Sequence, residues 1–589
     1  AGKRVPDRDE LSEQGRYYLA DWAVWNDFRL MQPNANGFTI QKRTNAQSAW
    51  IPAGAGERAS GLVFAGDVSG GLSVSLKDFW QSYPSGLEVR NAGSSAADLY
   101  VWLWSPDAPV MDMRHYDTKP HGLRSVYEDV QQGFSNPYGV ARTSELTLFP
   151  TTGIPTKEEA VQMAQTGSQP PLLTASPEYL HSAGVFGYWS LPDRSTPFKR
   201  AIEDRLDSYI SYYKKAIEQH NWYGFWDYGD VMHSYDEDRH VWRYDLGGMA
   251  WANTELMPDM WLWYSFLRTG RADIFRMAEA MTRHTQEVDV YHIGRFADLG
   301  TLHNVRHWGD GAKEVRISQS PLKRFYYYLT TDERTGDLMH ETTVNALKAI
   351  TGLDPMRLAQ PPTEAEKKYR ARLRIGPDWL ALAGNWMTEW ERTGDIKWRD
   401  MIYNGIESIS QFSFGLRTGK NLVVGMNPET GALYQLSDEA GEYNLATIQG
   451  GGEVALELSQ IIDHDNWHKL WLQYCRLYYA PEKVLLKDMK TESEGEKAAY
   501  TRPDRLAAYA YMKTGNPAFA EKALERIITR GGGGSLAVEQ IEGPHVLNPV
   551  DEVPWVNTNS TAQWSLNAIE ILEMCAGQLP EELPENWRK

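Results

Sequence analysis

Only two cysteines, Cys475 and Cys575, occur in 589 residues. That is too few for a disulfide framework, and buried free thiols are the expectation. No run of 18 apolar residues occurs, so no segment is expected to span a membrane as a helix. Positive charge is scarce: 60 Lys and Arg stand against 78 Asp and Glu, a net charge of −18, which argues against nucleic acid as a partner. No GxSxG is present, and neither cysteine sits in a nucleophile context. The glycine runs at Gly531–Ser535 and Gln449–Gly452 lack the lysine of a phosphate loop and read as loops. The chain opens at Ala1 with no charged-then-apolar leader, so an export signal is expected to lie outside it. A secreted or periplasmic location fits that reading.

What remains is an ordinary globular profile, 42% hydrophobic and 23% charged, long enough for two to four domains. Aromatics are abundant, with Trp 23, Tyr 31 and Phe 16. Most of these rings are expected in the core, while their flat faces also suit stacking on sugar rings.

The chain changes character near its first third. From Gly37 to about Pro150 the apolar period is two, as in Gly61–Ala65, Leu72–Leu76, Leu87–Val89 and Leu99–Trp104, with turn residues between. Short strands without intervening helices predict an antiparallel β-sandwich. Phe149 to Pro192 is rich in Pro and Thr and predicts one short helix between loops. From Phe198 onward the chain is helical and repeats itself. An apolar helix, a Thr-Gly or similar break and a second amphipathic helix recur around Gly270, Gly336, Gly394 and Gly515, with a degenerate copy around Asp463. Glycine just past a helix end takes the left-handed conformation that stops it, and a short connection makes the two helices antiparallel. Hairpins about 60 residues apart, joined by long irregular loops, predict a closed α/α toroid with those loops at one end of the ring. The expected organisation is a β-sandwich domain with its connecting segment over 1–195, followed by an α/α toroid of helical hairpins over 196–589.

Two stretches are dense in polar and aromatic residues without a regular period: His220–Asp245 and Asp289–Gly311. Loops of this kind carry function, because a scaffold positions them while they stay near solvent. The first holds Asp230, Arg243 and Tyr244; the second holds His303, Asn304, Arg306, His307 and Trp308, followed by Arg316 and Arg324. His303 and His307 have zinc-pair spacing, but two ligands are too few and no zinc-protease glutamate follows His303, so no metal is assigned. Asp227, Asp230, Asp236, Asp238 and Asp245 could make an oxygen cage for calcium, though their spacing misses the EF-hand loop. No cofactor is required by this reading, and calcium is the cation it leaves open.

The run Ser75-Leu76-Lys77-Asp78-Phe79-Trp80-Gln81-Ser82-Tyr83-Pro84-Ser85-Gly86-Leu87 resembles the signature of the central β-sandwich in exo-rhamnogalacturonan-lyase-like proteins. Trp104-Ser105-Pro106 with Arg114-His115-Tyr116, and His303 through Trp308, are similar to the same group. The resemblance runs from about residue 37 to the end. It implies an exo-acting polysaccharide lyase on L-rhamnosyl-α-1,4-uronate linkages, in rhamnogalacturonan or in rhamnose-capped arabinogalactan. Its partner would be an anionic plant polysaccharide or oligosaccharide. Such proteins usually begin with a further β-barrel domain, so this sequence is expected to be a processed or truncated form.

The loop residues suit the implied chemistry. A lyase removes the C5 proton of a uronate, which is only weakly acidic until the neighbouring carboxylate is neutralised. A Tyr or His takes that proton and a second group protects the departing O4. Tyr244, His303 and His307 are the proton-transfer candidates. Arg243, Asn304, Arg306, Trp308, Asp230 and Arg324 are the substrate-binding candidates. An anionic sugar inside a −18 field calls for local basic compensation, expected from Arg243, Arg306, Arg316 and Arg324. Two other readings remain. An inverting glycoside hydrolase would use Asp230 with Asp310 or Glu255, and a non-catalytic glycan-binding protein would use the aromatic cleft alone.

Overall fold

The computed structural model describes residues 8–18, 25–110, 135–301, 304–310, 313–352, 364, 367, 369, 371–443, 445–491 and 498–588. The chain forms two compact units. The first comprises Ala1–Met111, Ser144–Pro171 and Tyr223–Asp227; the second comprises Asp112–Thr143, Leu172–Trp222 and Tyr228–Lys589.

The first unit is a β-sandwich. Its strands are β1 (Asp27–Asn34), β2 (Gly37–Arg43), β3 (Ile51–Gly56), β4 (Leu62–Asp67), β5 (Gly70–Leu76), β6 (Ser85–Arg90), β7 (Asp98–Trp102) and β8 (Leu146–Thr151). They pair antiparallel into a five-stranded sheet, β3-β2-β1-β6-β7, and a three-stranded sheet, β4-β5-β8. The four strand segments expected from alternation all lie in or overlap strands. Strand β1, which begins ten residues before Gly37, adds a central strand to the larger sheet, with Leu30 opposite both Ile40 and Leu87. The Ser75–Leu87 run leaves β5 in one sheet and enters β6 in the other. Leu76, Phe79 and Leu87 cluster with Ala59, and Ser85 Oγ donates to the Phe79 carbonyl. The run is thus the crossing that joins the two sheets around one core. The helix expected in the Pro/Thr-rich stretch forms over Lys157–Ser168 (α2; α1 is Glu13–Tyr18), started by a capping box between Thr156 and Glu159.

The second unit is helical. After α3 (Pro177–Ser182) and α4 (Pro197–His220) come α5 (Pro258–Thr269), α6 (Ala272–Glu287), α7 (Ser320–Thr330), α8 (Glu333–Gly352), α9 (Leu380–Thr393), α10 (Ile396–Ser410), α11 (Gly451–Ile461), α12 (Asp465–Arg476), α13 (Glu482–Thr491), α14 (Arg505–Thr514), α15 (Pro517–Arg526) and α16 (Thr558–Met574). Hairpins α5/α6, α7/α8, α9/α10, α11/α12 and α14/α15 follow one another, and α16 packs on both α14 and α5. That last contact closes the circuit, as expected of an α/α toroid. The burial pattern agrees: α5 is buried from Pro258 to Arg268 and α9 from Leu380 to Glu389, while α10 and α15 bury one face. Trp261, Trp263, Trp379, Trp386, Trp467 and Trp471 are among the largest fully buried side chains, so much of the tryptophan excess is ring core. Cys475 and Cys575 are free and buried.

Three of the four repeat glycines end helices as expected: Gly270, Gly394 and Gly515 have φ of 64°, 70° and 67°. Gly336 does not. It lies inside α8, and the left-handed residue ending α7 is Thr331, φ 57°. A Cβ at Gly336 would come within 2.8 Å of the Tyr327 ring, so this glycine serves close packing of the hairpin rather than its turn.

Candidate active site

The two polar-aromatic loops meet. The first leaves α4, forms the two-stranded ribbon β9 (Tyr235–Asp236) and β10 (Val241–Trp242), and returns to α5; the second leaves α6 and passes β11 (Gly300–Thr301) and β12 (Lys313–Glu314). Asn304 stitches them: its carbonyl accepts from Trp251 N–H at 3.2 Å, and its Oδ1 accepts from Gly248 N–H at 3.2 Å and Val305 N–H at 3.0 Å. Asn253 Nδ2 donates to the Thr301 carbonyl at 2.8 Å. The Asn304 side-chain amide nitrogen has no hydrogen-bond partner among the described residues, although Asn304 is fully buried.

Beneath this seam lies a cluster of four buried groups, Asp230, His284, Asp289 and His307, with donor atoms all within 4.8 Å of one another. Each comes from a different place: Asp230 from the loop after α4, His284 from the last turn of α6, Asp289 from just past that helix end, and His307 from the loop after β11. Asp230 Oδ1 accepts from Val231 N–H at 2.7 Å, and the Asn253 N–H is shared between Oδ1 at 3.1 Å and Oδ2 at 3.2 Å. His284 Nε2 lies 3.6 Å from Asp230 Oδ2 and 3.5 Å from Asp289 Oδ1; His307 Nδ1 lies 3.7 Å from each. Trp251 packs over His307 with ring centroids 5.1 Å apart. Behind His284, Arg142 donates to the Tyr228 carbonyl and stands 3.9 Å from Glu287.

Burial dominates the electrostatics here. It pushes the Asp230 carboxyl up to about 6, with the two imidazoles opposing the rise, and Asp289 up to about 7, opposed by His307 and Arg142. Asp259, at the start of α5, is pushed up to about 7 by burial despite its bond from Met260 N–H. Carboxyls held near neutrality in one cluster with two imidazoles make a group that can exchange protons at ordinary pH.

The structure thus brings together Asp230 and His307 from the sequence candidates, with Asn304 alongside. His303 lies outside the described residues, as do Arg114, His115 and Tyr116. Tyr244 is 57% exposed, two residues past β10. Arg243 stands 3.8 Å from Asp236, while Arg239 takes Asp236 and Asp245 in ion pairs. Those two aspartates are held by Arg239, and neither belongs to the buried group around Asp230. Arg306 is buried, with Nη1 3.4 Å from the Ser135 carbonyl, and Trp308 is buried with its carbonyl accepting from Lys313 Nζ. Arg324 lies in the ring wall, bound to Glu457 and, at 3.1 Å, to Glu391; Arg316 is 2.6 Å from Glu314. Three of the four arginines expected to make a basic cleft, Arg243, Arg316 and Arg324, thus stand beside carboxylates. Sequence reasoning missed His284 and Asp289 as site residues. His284 falls within an amphipathic helix, where its spacing reads as core, and Asp289 was only the first residue of a dense stretch.

Two family models match the chain: "PcRGLX-like protein central beta sandwich domain" over residues 1–165 and "PcRGLX-like protein C-terminal alpha/alpha toroid domain" over 170–580. An uncharacterized protein of Bacillus subtilis (strain 168), YetA, is 38% identical over 569 residues, covering 96% of this chain and 66% of that protein. The chain therefore spans just under two thirds of that relative. Among solved structures, an unsaturated glucuronyl hydrolase from Streptococcus agalactiae overlaps 70% of this chain and 94% of its own, at TM-score 0.33 and 13% identity. One from Bacillus sp. GL1 overlaps 55% and 78%, at TM-score 0.32 and 14% identity. With one family matched in both domains along nearly its whole length, the chain belongs to the PcRGLX-like, rhamnogalacturonan-lyase-like family.

Proposed function

We propose that the protein is an exo-acting polysaccharide lyase that cleaves L-rhamnosyl-α-1,4-uronate linkages by β-elimination at the uronate. The uronate is glucuronate in arabinogalactan or galacturonate in rhamnogalacturonan. The observation that carries this reading is the junction of the two loops through Asn304 above His307 and Asp230, in a chain of this family. A base takes the proton from C5, the C4–O4 bond breaks, and the electron pair forms the C4–C5 double bond. O4 leaves with a proton as the anomeric hydroxyl of rhamnose, free where the rhamnose is a cap and at a new chain end where it lies in a backbone. Tyr244 and Arg243 reach solvent and suit proton transfer and the uronate carboxylate; His303 remains a proton-transfer candidate. The Asn304 side-chain nitrogen, without a hydrogen-bond partner among the described residues, is a further candidate donor for the charge that develops on the carboxylate. His307, buried beside Asp230 in the same seam, is a further proton-transfer candidate.

The test is incubation of the full chain with rhamnogalacturonan and with gum arabic, following near-ultraviolet absorbance and free rhamnose together. Elimination produces both in step from rhamnose caps, and the chromophore with a new rhamnose reducing end from the rhamnogalacturonan backbone. Rhamnose without the chromophore would mean hydrolysis, and binding without either product would mean a glycan-binding protein; each overturns the lyase reading.

A further inference from the structure

We infer that Asp230, His284, Asp289 and His307 form a binding site for one first-row divalent transition ion of the zinc class. The inference does not depend on the lyase reading. Its basis is the spacing of the donor atoms. Four cross-distances between imidazole nitrogen and carboxylate oxygen run 3.5, 3.6, 3.7 and 3.7 Å. Charge-assisted hydrogen bonds close to ~2.7–2.9 Å, and none of the four has closed. A cation bound by nitrogen and oxygen at ~2.0–2.2 Å sets tetrahedral ligand atoms ~3.3–3.6 Å apart. Two of the four distances fall within that edge length, the two at 3.7 Å lie just beyond it, and none approaches the hydrogen-bond length.

A second observation points the same way. Asp289 is 1% exposed, and neither of its carboxylate oxygens has a hydrogen-bond partner among the described residues. A carboxylate buried without hydrogen bonds costs several kcal/mol unless a cation meets it. Oδ1 of Asp289 is aimed at the centre of the cluster, 3.5 Å from one imidazole nitrogen and 3.7 Å from the other.

The donor chemistry selects the ion. Two imidazoles and two carboxylates suit zinc, manganese or their neighbours, whereas calcium takes six to eight oxygens. Two carboxylates cancel the charge of a divalent ion, which a buried site requires. The surroundings orient the ligands: the Val231 N–H holds Oδ1 of Asp230, the Asn253 N–H spans both its oxygens, and Oδ2 lies 3.6 and 3.7 Å from the two imidazole nitrogens. His284 ends α6, where the helix dipole favours positive charge. Arg142 Nη1, 3.4 Å from His284 Nδ1, can only donate there, which favours the tautomer with hydrogen on Nε2. A cation on Nε2 therefore displaces that hydrogen and opens the Arg142 contact, while Glu287, 3.9 Å from Arg142, offsets its charge. The competing arrangement is metal-free, with protonated imidazoles balancing the two aspartates.

The experiment measures metal in the full chain by mass spectrometry after expression with zinc and manganese supplied and dialysis against metal-free buffer. One ion per chain is expected in the native sequence and in His340→Gln, a control outside the cluster, with at least a tenfold loss in Asp289→Asn and His284→Gln. Chelator treatment is expected to lower Tm, and zinc or manganese, but not calcium alone, to restore it. A native chain without stoichiometric metal and with a Tm indifferent to chelator and to both ions would overturn the site in favour of the protonated cluster. Variants that keep their metal would overturn it as well, and so would restoration by calcium alone. Should the variants fail to fold, cobalt added to the stripped native chain decides: visible ligand-field bands of a nitrogen-oxygen site support the inference, and their absence overturns it.

Discussion

His284 and His307 meet edge to face, with ring centroids 4.5 Å apart and planes inclined by 62°. One ends a helix and the other sits in a loop beyond a two-residue strand, and the aspartates at 230 and 289 occupy the remaining corners. Imidazoles this close, each beside two carboxylates, tie α6 to both loops. Substitution in the cluster should therefore be felt in chemistry as well as in stability.

His307→Ala and Tyr244→Phe are each expected to lower turnover of a rhamnosyl-uronate substrate by ~10²–10⁴-fold, the range for loss of a principal proton-transfer group. Arg243→Ala is expected to act chiefly on KM. Initial rates of near-ultraviolet absorbance check this, with circular dichroism to show that the fold persists. Full activity in both His307→Ala and Tyr244→Phe would place the chemistry in other loops.

Arg268 is the anchor of α5. It is 3% exposed, grips Glu203 of α4 through two bonds of 2.6 and 2.7 Å, and donates to the carbonyls of Ser190 and Leu191. Arg268→Ala leaves Glu203 as an uncompensated buried charge and is expected to cost about 3–5 kcal/mol. Denaturant unfolding measures it; a loss under 1 kcal/mol would show that the pair contributes little.

Burial holds the His220 imidazole down at about 4, against an ordinary 6.5. Between those values the unfolded chain binds a proton that the folded chain refuses, so stability falls as pH drops through the window. His220→Gln removes that contribution. Its Tm is expected to decline less than that of the native chain from pH 6.5 to 4, and identical slopes would refute the assignment.

Two glycines should respond differently to alanine. At Gly405 in α10, a Cβ would lie 2.5 Å from Nε1 of the fully buried Trp379, so Gly405→Ala overpacks the ring wall at a cost of about 1–3 kcal/mol. At Gly394 nothing lies within 4 Å, and only the left-handed φ of 70° resists a side chain, a cost of about 1 kcal/mol. Chemical denaturation of both variants compares the two costs, and a larger loss at Gly394 would reverse the argument.

Local signals determined much of this protein. Period-two alternation marks the sandwich strands because each strand buries one face. Glycines 270, 394 and 515 mark hairpins because few other residues take the left-handed turn cheaply. The loops carrying Asp230 and His307 stand out because no packing period explains so many polar and aromatic residues together. Tertiary structure decided the rest. Gly336 looks like its three counterparts in sequence, yet Tyr327 packs against it and Thr331 makes the turn, a choice that depends on what lies across the hairpin. His284 and Asp289 join the buried cluster with Asp230 and His307 only through the tertiary fold, because a side chain at the end of an amphipathic helix has no local mark of what it will face. The same fold joined Arg324 to Glu457 and so assigned to the ring wall a charge that the sequence alone offered to a substrate.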